Sequence, residues 1–274
     1  GQRLVHTGQV SYADDAPKIP AAAISAEDAD LLHRLLAGDD GVKLVLRLSC
    51  ETRPDAPGAN VVAELPGRER PEEVVLIGAH LDSWDLGTGA IDDAAGVGIV
   101  LDTLRMLKAH DLLPRRSVRA VLYANEENGL SGGRAYAKNH AVELGRHVVA
   151  IEADAGAGRP EGFAVHAGPG GADRIAALSR LLLPEGPRIV EQIDSSDIAP
   201  LAPHGVPLLG LLQDESHYFD WHHTAADTFD KIDSRALAES AAFLAIAAYV
   251  LAEDEAVLPR PAPTTSTAVL GEAR

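Results

Sequence analysis

One cysteine, Cys50, is all the thiol chemistry this chain contains. An intramolecular disulfide is therefore excluded, and so is a zinc site built on thiolates. Aromatic residues are scarce at 4%, so the core that a hydrophobic content of 46% can build must come largely from Ala, Val and Leu. Cations are short as well: 24 Lys and Arg stand against 41 Asp and Glu, for a formal charge of −17. Nucleic acid and anionic membrane surfaces reward cationic patches, so neither is an expected partner. Part of the acidic excess is what bound metal ions would neutralise. No uninterrupted apolar run approaches the ~18 residues of a membrane-crossing segment, and no signal peptide is visible. The chain opens at Gly1 rather than Met, the mark of a trimmed protein or of a piece of something longer. Its 274 residues suffice for one large domain or two small ones.

What is present is concentrated in the stretch Val74–Gly96, VVLIGAHLDSWDLGTGAIDDAAG. The apolar run Val74–Gly78 has the pattern of a strand buried on both faces of a parallel sheet. His80 and Asp82 come next, then a glycine-punctuated loop with Asp85 and the pair Asp92-Asp93, then a helical period. An imidazole and several carboxylates at the carboxyl end of a buried strand are donors that a divalent metal takes. Burying that many carboxylates without a cation is costly.

The rest of the chain alternates. Ser25, Glu27 and Asp28 predict a helix start, with Leu31, Leu32, Leu35 and Leu36 as its apolar stripe. Val42–Leu48 alternates and predicts a strand with one wet face. Beyond a Pro-, Gly- and Asp-rich boundary at 52–60, Asn60–Leu65 predicts another strand. Val97, Val100, Leu101, Leu104 and Leu107 predict a helix from Ala94. Buried strands are predicted at Val118–Tyr123, Val148–Ala153 and Pro207–Leu212, with helices over Ser131–His140, Ala172–Leu183 and Arg235–Ala252. From Pro259 the composition is that of a disordered tail. This alternation predicts an α/β fold, a three-layer α/β/α sandwich around a mostly parallel central sheet. Sites in such folds lie outside the carboxyl ends of the strands. His80, Glu126-Glu127, Asp154 and His222-His223 all fall there, after different strands.

HLDSWDLGTGAIDDAAG, the EENG after a strand, EADAG and HHTAADT resemble the co-catalytic di-zinc aminopeptidase family, in its carboxypeptidase Q-like (plasma glutamate carboxypeptidase-like) branch. The resemblance covers roughly residues 60–252. It implies two Zn2+ ions bridged by Asp92, one completed by His80 and Asp154, the other by Glu127 and His223. Glu126 matches the general base, Asp82 the carboxylate that orients His80, and His222 has no ligand role. It also implies a cis peptide bond between Asp92 and Asp93. Paired ions about 3.5–4 Å apart clamp a water, lower its pKa towards about 7 and polarise a carbonyl. Of two adjacent glutamates, one can then serve a metal while the other moves the proton. The implied reaction is hydrolysis of an amide bond near a free terminus of a dipeptide or short peptide.

By the same resemblance, residues 1–50 correspond to the closing portion of a protease-associated-type inserted domain, 51–256 to the catalytic domain and 257–274 to a flexible tail. The first helix and strand of the catalytic domain are missing, so the chain is expected to be a fragment. The implied setting is secreted or periplasmic, the implied partner a small peptide substrate, and a homodimer is left open. Two other readings use the same fold. A glutaminyl cyclase-like acyltransferase needs one zinc, whereas this chain has both ligand sets. A non-catalytic receptor-like binding module lacks ligands or base, whereas Glu126 and all five ligands are here.

Overall fold

The computed structural model describes residues 3–10, 12–13, 15–38, 41–51, 53–191 and 196–264. Its strands are β1 (Val61–Leu65), β2 (Arg70–His80), β3 (Arg116–Tyr123), β4 (His147–Glu152), β5 (Pro160–His166), β6 (Arg188–Val190) and β7 (Leu208–Gln213). The helices are α1 (Ala26–Leu36), α2 (Ala95–Ala109), α3 (Ser131–Asn139), α4 (Gly171–Arg180), α5 (Tyr218–Trp221) and α6 (Ser234–Glu253). All seven strands join one sheet in the order β1-β3-β2-β4-β7-β5-β6. Pairing is parallel from β3 through β2 and β4 to β7. At the edges β1 runs antiparallel to β3, and β5 runs antiparallel to β7 while pairing parallel with β6.

The alternation of side chains along β2 explains the layers. Val75, Ile77 and Ala79 join Ile99, Val100 and Leu107 of α2 and Leu244, Ala248 and Leu251 of α6 in one core. Val74 and Leu76 point the other way, into a second core with Tyr136 and Ala137 of α3 and with Ile198, Leu201 and Val206. Val75, Leu76 and Ile77 are all 0% exposed. Burial of that kind contributes about 1.5–3 kcal/mol per large apolar side chain, so β2 is the strand the sandwich is assembled on. The expected three-layer sandwich is therefore present. Because β2, β3 and β4 run the same way, their carboxyl ends all emerge along one edge of the sheet. That edge carries His80, Glu126-Glu127 and Asp154.

Helix α6 is long and apolar enough, by length and composition, to cross a membrane. Here its apolar residues are spent on the core, where Phe243, Leu244, Ala247, Ala248 and Leu251 are buried. Asp233 starts the helix by accepting from the Arg235 and Ala236 amides. Ser25 starts α1 as expected, its hydroxyl accepting from the Asp28 amide.

Three expectations need correction. Val42–Leu48 is not a strand: it has no ladder partner among the described residues, and Leu44, Val45, Leu46 and Leu48 are exposed. An alternating pattern describes one face of a strand but supplies no neighbour to bond it. Conversely, β5 and β6 form although the local pattern predicts neither. Strand β5 opens on Pro160, a residue tolerated at a strand's first position, and Gly162 sits at φ +149, so propensity argues against it. Its partner β7 stabilises it all the same. Finally, the tail expected to be disordered from Pro259 is packed as far as residue 264; the expectation for 265–274 lies outside the described residues. Leu258 is 2% exposed, the Pro259 carbonyl accepts from the Gly168 amide, and the Arg260 guanidinium donates to the carbonyls of Leu144, Gly145, His147 and His204. Carbonyls at distant loop ends leave no trace in local composition.

One close approach locks α2 to the sheet edge. At Gly96 a Cβ would stand 2.0 Å from the Ala153 carbonyl oxygen and 2.2 Å from Asp93 Oδ1. Gly96→Ala is therefore expected to cost about 1–3 kcal/mol, read as a lower urea midpoint at unchanged slope. Gly98→Ala, where a Cβ meets nothing within 4 Å, is expected to be neutral or to gain up to about 1 kcal/mol from helix propensity. Equal midpoints for the two variants would contradict the packing described.

Candidate metal centre

Two imidazoles approach one carboxylate from opposite sides. His80 Nε2 lies 3.0 Å from Asp92 Oδ1 and 3.5 Å from Asp154 Oδ1. His223 Nε2 lies 3.2 Å from Asp92 Oδ2 and 2.9 Å from Glu127 Oε2. Donor atoms of His80, Asp92 and Asp154 thus form one cluster, and those of Asp92, Glu127 and His223 another, each within 4.8 Å. Asp92 belongs to both. The sequence-predicted ligands are all brought together, from β2, the turn before α2, and the loops after β3, β4 and β7.

The far ring nitrogens decide whether a metal fits. His80 Nδ1 is 2.9 Å from the main-chain oxygen of Asp82, and His223 Nδ1 is 3.1 Å from that of Thr7. A carbonyl oxygen can only accept, so Nδ1 carries the proton in each ring and donates it. In the neutral tautomer each Nε2 then presents a lone pair to carboxylate oxygens that are acceptors themselves. Such an arrangement calls for a cation between the acceptors, either a metal ion or a second proton on each ring. Glu127 Oε1 adds to the case, being buried with no hydrogen-bond partner among the described residues. Nitrogen and oxygen donors without thiolate suit zinc with a coordination position left open.

The backbone that delivers Asp92 departs from helix at the turn Ala90–Ala94, with Asp92 at φ −131, ψ 86 and Asp93 at φ −136, ψ 35. The Asp92–Asp93 peptide is cis, as the resemblance implied. Asp227 accepts from the Ile91 amide at 2.7 Å and the Asp92 amide at 3.3 Å. Asp93 accepts from the His80 amide at 3.0 Å and the Gly96 amide at 3.1 Å, tying the end of β2 to the first turn of α2. One expected role shifts. The resemblance assigns the carboxylate of Asp82 to orienting His80, yet it lies 3.9 Å from Nδ1 and the Asp82 main-chain carbonyl makes the shorter contact. The carboxylate instead accepts from the amides of Glu126 at 3.0 Å and Glu127 at 3.3 Å. Asp82 therefore fixes the glutamate pair with its side chain and the imidazole with its backbone.

Residues 60–248 match Peptidase family M28. The chain belongs to that family. It is 36% identical over 254 residues to carboxypeptidase Q of Rattus norvegicus, covering 91% of this chain and 53% of the relative. The solved structure of a peptidase M28 precursor from Shewanella amazonensis superposes with a TM-score of 0.90 at 42% identity, over 96% of this chain and 60% of that one. The zinc aminopeptidase BSAP from Bacillus subtilis shares the fold, with a TM-score of 0.61 at 21% identity over 72% of this chain and 50% of its own. The chain spans about half the length of the curated relatives it matches.

Electrostatics in this M28 site are governed by burial. Where no metal ion lies between them, the rings take that second proton: burial disfavours the imidazolium of His80, but Asp154 and Asp92 more than offset it and raise its pKa. His223, also partly buried, is likewise raised to about 10 by Asp92 and Glu127. Burial alone would raise Asp92, yet His223 and His80 hold it below the usual carboxylate range. Glu126 is pushed up to about 7, chiefly by burial and then by the charge of Asp154. His222, stacked on His223 at 3.7 Å, is lowered to about 4 by burial, and its Nε2 lies 3.2 Å from Asp92 Oδ2, the same distance as that of His223.

Sequence reasoning missed the acids behind the glutamates. Glu152, at the end of β4, accepts from the Asp197 amide at 3.0 Å and the Ile198 amide at 3.4 Å. Asp197 is 0% exposed, and neither of its carboxylate oxygens has a hydrogen-bond partner among the described residues. Burial and Glu152 push Asp197 up to about 10. Nothing local marks Asp197, whereas Asp227 lay inside the HHTAADT motif and was readable there as a candidate. A neutral acid at that site carries a pH signature. The folded chain keeps a proton on Asp197 up to about pH 10 that the unfolded chain gives up near its ordinary value of about 4. The resulting stability is complete below pH ~4 and declines as pH rises through the folded pKa. Asp197→Asn should therefore gain on the wild type in urea midpoint between pH 5 and 9. A difference that stays constant over that range would show Asp197 to be ionised in the folded state.

Proposed function

We propose that this chain is the catalytic part of a zinc-dependent exopeptidase that hydrolyses the amide bond of dipeptides or short peptides near a free terminus. The observation that supports this most is Asp92, with one carboxylate oxygen beside each imidazole nitrogen. His80, Asp92 and Asp154 would hold one Zn2+, and Asp92, Glu127 and His223 the second. Bound there, the pair supplies Lewis acidity for the scissile carbonyl and for the attacking water.

The chain's own residues do the rest. Glu126 accepts the water's proton and returns it to the leaving amine, a role suited to a carboxyl whose pKa stands near 7. Asp82 holds the Glu126 and Glu127 amides, so that two adjacent side chains keep separate tasks. A cavity of about 260 Å3, lined by Ile91, Ala155, Tyr218 and Trp221, opens next in sequence to Asp92 and Asp154. It offers room for a substrate side chain beside the reacting bond. The presence of the Glu127–His223 set favours peptide hydrolysis over a one-zinc glutaminyl cyclase-like acyl transfer, and Glu126 favours an enzyme over a receptor-like binding module. By resemblance, the setting is secreted or periplasmic, residues 1–50 close an inserted domain, and residues 51–256 form the catalytic one.

The test is Glu126→Gln assayed on a free dipeptide with zinc supplied. We expect both ions to remain bound and turnover to fall by at least about 10²-fold, the ordinary reach of general acid–base catalysis. Near-normal turnover would remove Glu126 from the mechanism. Loss of an ion would instead exchange its role with that of Glu127. Cyclisation of an N-terminal glutamine peptide in place of dipeptide cleavage by the wild type would select the acyltransferase.

A further inference from the structure

The two imidazoles of the metal centre are oriented in different ways. His80 takes its Nδ1 partner from Asp82, within its own loop. His223 takes its Nδ1 partner and both donors to its carbonyl from a residue 216 positions away. Its carbonyl accepts from the Thr7 amide at 3.0 Å and from the Thr7 hydroxyl at 2.9 Å, while its Nδ1 lies 3.1 Å from the Thr7 carbonyl oxygen. His223 also sits at φ 55, a left-handed conformation uncommon for residues other than glycine. The ring is bracketed by His222, stacked at 3.7 Å, by Trp84, stacked at 5.2 Å, and by the edge of His6 at 5.7 Å. Those contacts limit its tilt. Among the described residues, only Thr7 engages both its backbone and its Nδ1.

We infer that Thr7 is the positioning residue for His223, and that the N-terminal segment completes one half of the metal centre while leaving the other half independent of it. The inference rests on the two-ion reading given above. Thr7 works through His223: its carbonyl fixes the tautomer that points a lone pair from Nε2 towards Asp92 and Glu127, and its two donors hold the backbone that aims the ring. Loss of outer partners of this kind typically lowers metal affinity about 10–100-fold. Because Thr7 touches neither His80 nor Asp154 in any described hydrogen bond, the loss falls on one ion only. Linkage requires the converse: filling the His223 half must strengthen the docking of the segment that carries Thr7.

The full chain serves for the test, titrated with Zn2+ against a competing chelator and with Co2+ for its visible spectrum. Thr7→Val removes the hydroxyl donor; Thr7→Pro removes both donors and leaves the carbonyl. We expect one ion to bind with unchanged affinity in every form. The other should weaken about 10-fold or more in Thr7→Pro and less in Thr7→Val, with an altered Co2+ spectrum for that ion alone. In the wild type, hydrogen exchange at residues 3–9 should slow only with the equivalent whose affinity falls in Thr7→Pro. Variants that bind both ions as the wild type does would overturn the inference, as would a parallel loss of both ions in a Thr7→Val chain that is otherwise folded. A wild type that binds one ion or none would overturn the two-ion reading itself, and this assignment with it.

Discussion

A single carboxylate shared between two imidazole nitrogens is the constraint around which this molecule is arranged. Asp92 presents one oxygen to His80 and the other to His223, and in the neutral tautomer that donates from Nδ1 both nitrogens face it with lone pairs. Acceptors do not gather at about 3 Å of their own accord, so the surrounding structure has to hold them. Asp227 grips the backbone on the amino side of Asp92, and Asp93 binds the end of β2 to the start of α2 on the other. Gly96 allows that helix to sit against the end of β4, beside the Asp154 loop.

The acidic character of the chain reads differently in this light. A charge of −17 suggests a uniformly anionic protein, yet the acids around the centre do not share one state. Asp92 is kept ionised by its histidines, Glu126 titrates near neutrality, and Asp197 is held neutral by burial. Carboxyls crowded at one sheet edge cannot all ionise at once, and their environments separate them into different protonation states. In the function proposed above, that division lets one edge bind cations and move a proton.

Much of this was legible in the sequence, for a physical reason. The strands that carry the site are continuous apolar runs with donors at their carboxyl ends, a pattern written within a dozen residues. The features beyond reach were non-local. Val42–Leu48 alternates well but finds no partner, while β5 forms against its own propensities because β7 stands beside it. Asp197 and Thr7 matter only through what the fold places next to them, Glu152 in one case and His223 in the other. Asp82 stands out by motif, yet its carboxylate and carbonyl divide the work in a way that no spacing announces.

The shared carboxylate can be observed directly. Crystals of the chain grown with zinc and measured on both sides of the zinc absorption edge would locate the ions by anomalous scattering. The account predicts two peaks about 3.5–4 Å apart, one flanked by His80 and Asp154, the other by Glu127 and His223, with Asp92 between them. A single peak, or two peaks that do not share Asp92, would contradict it.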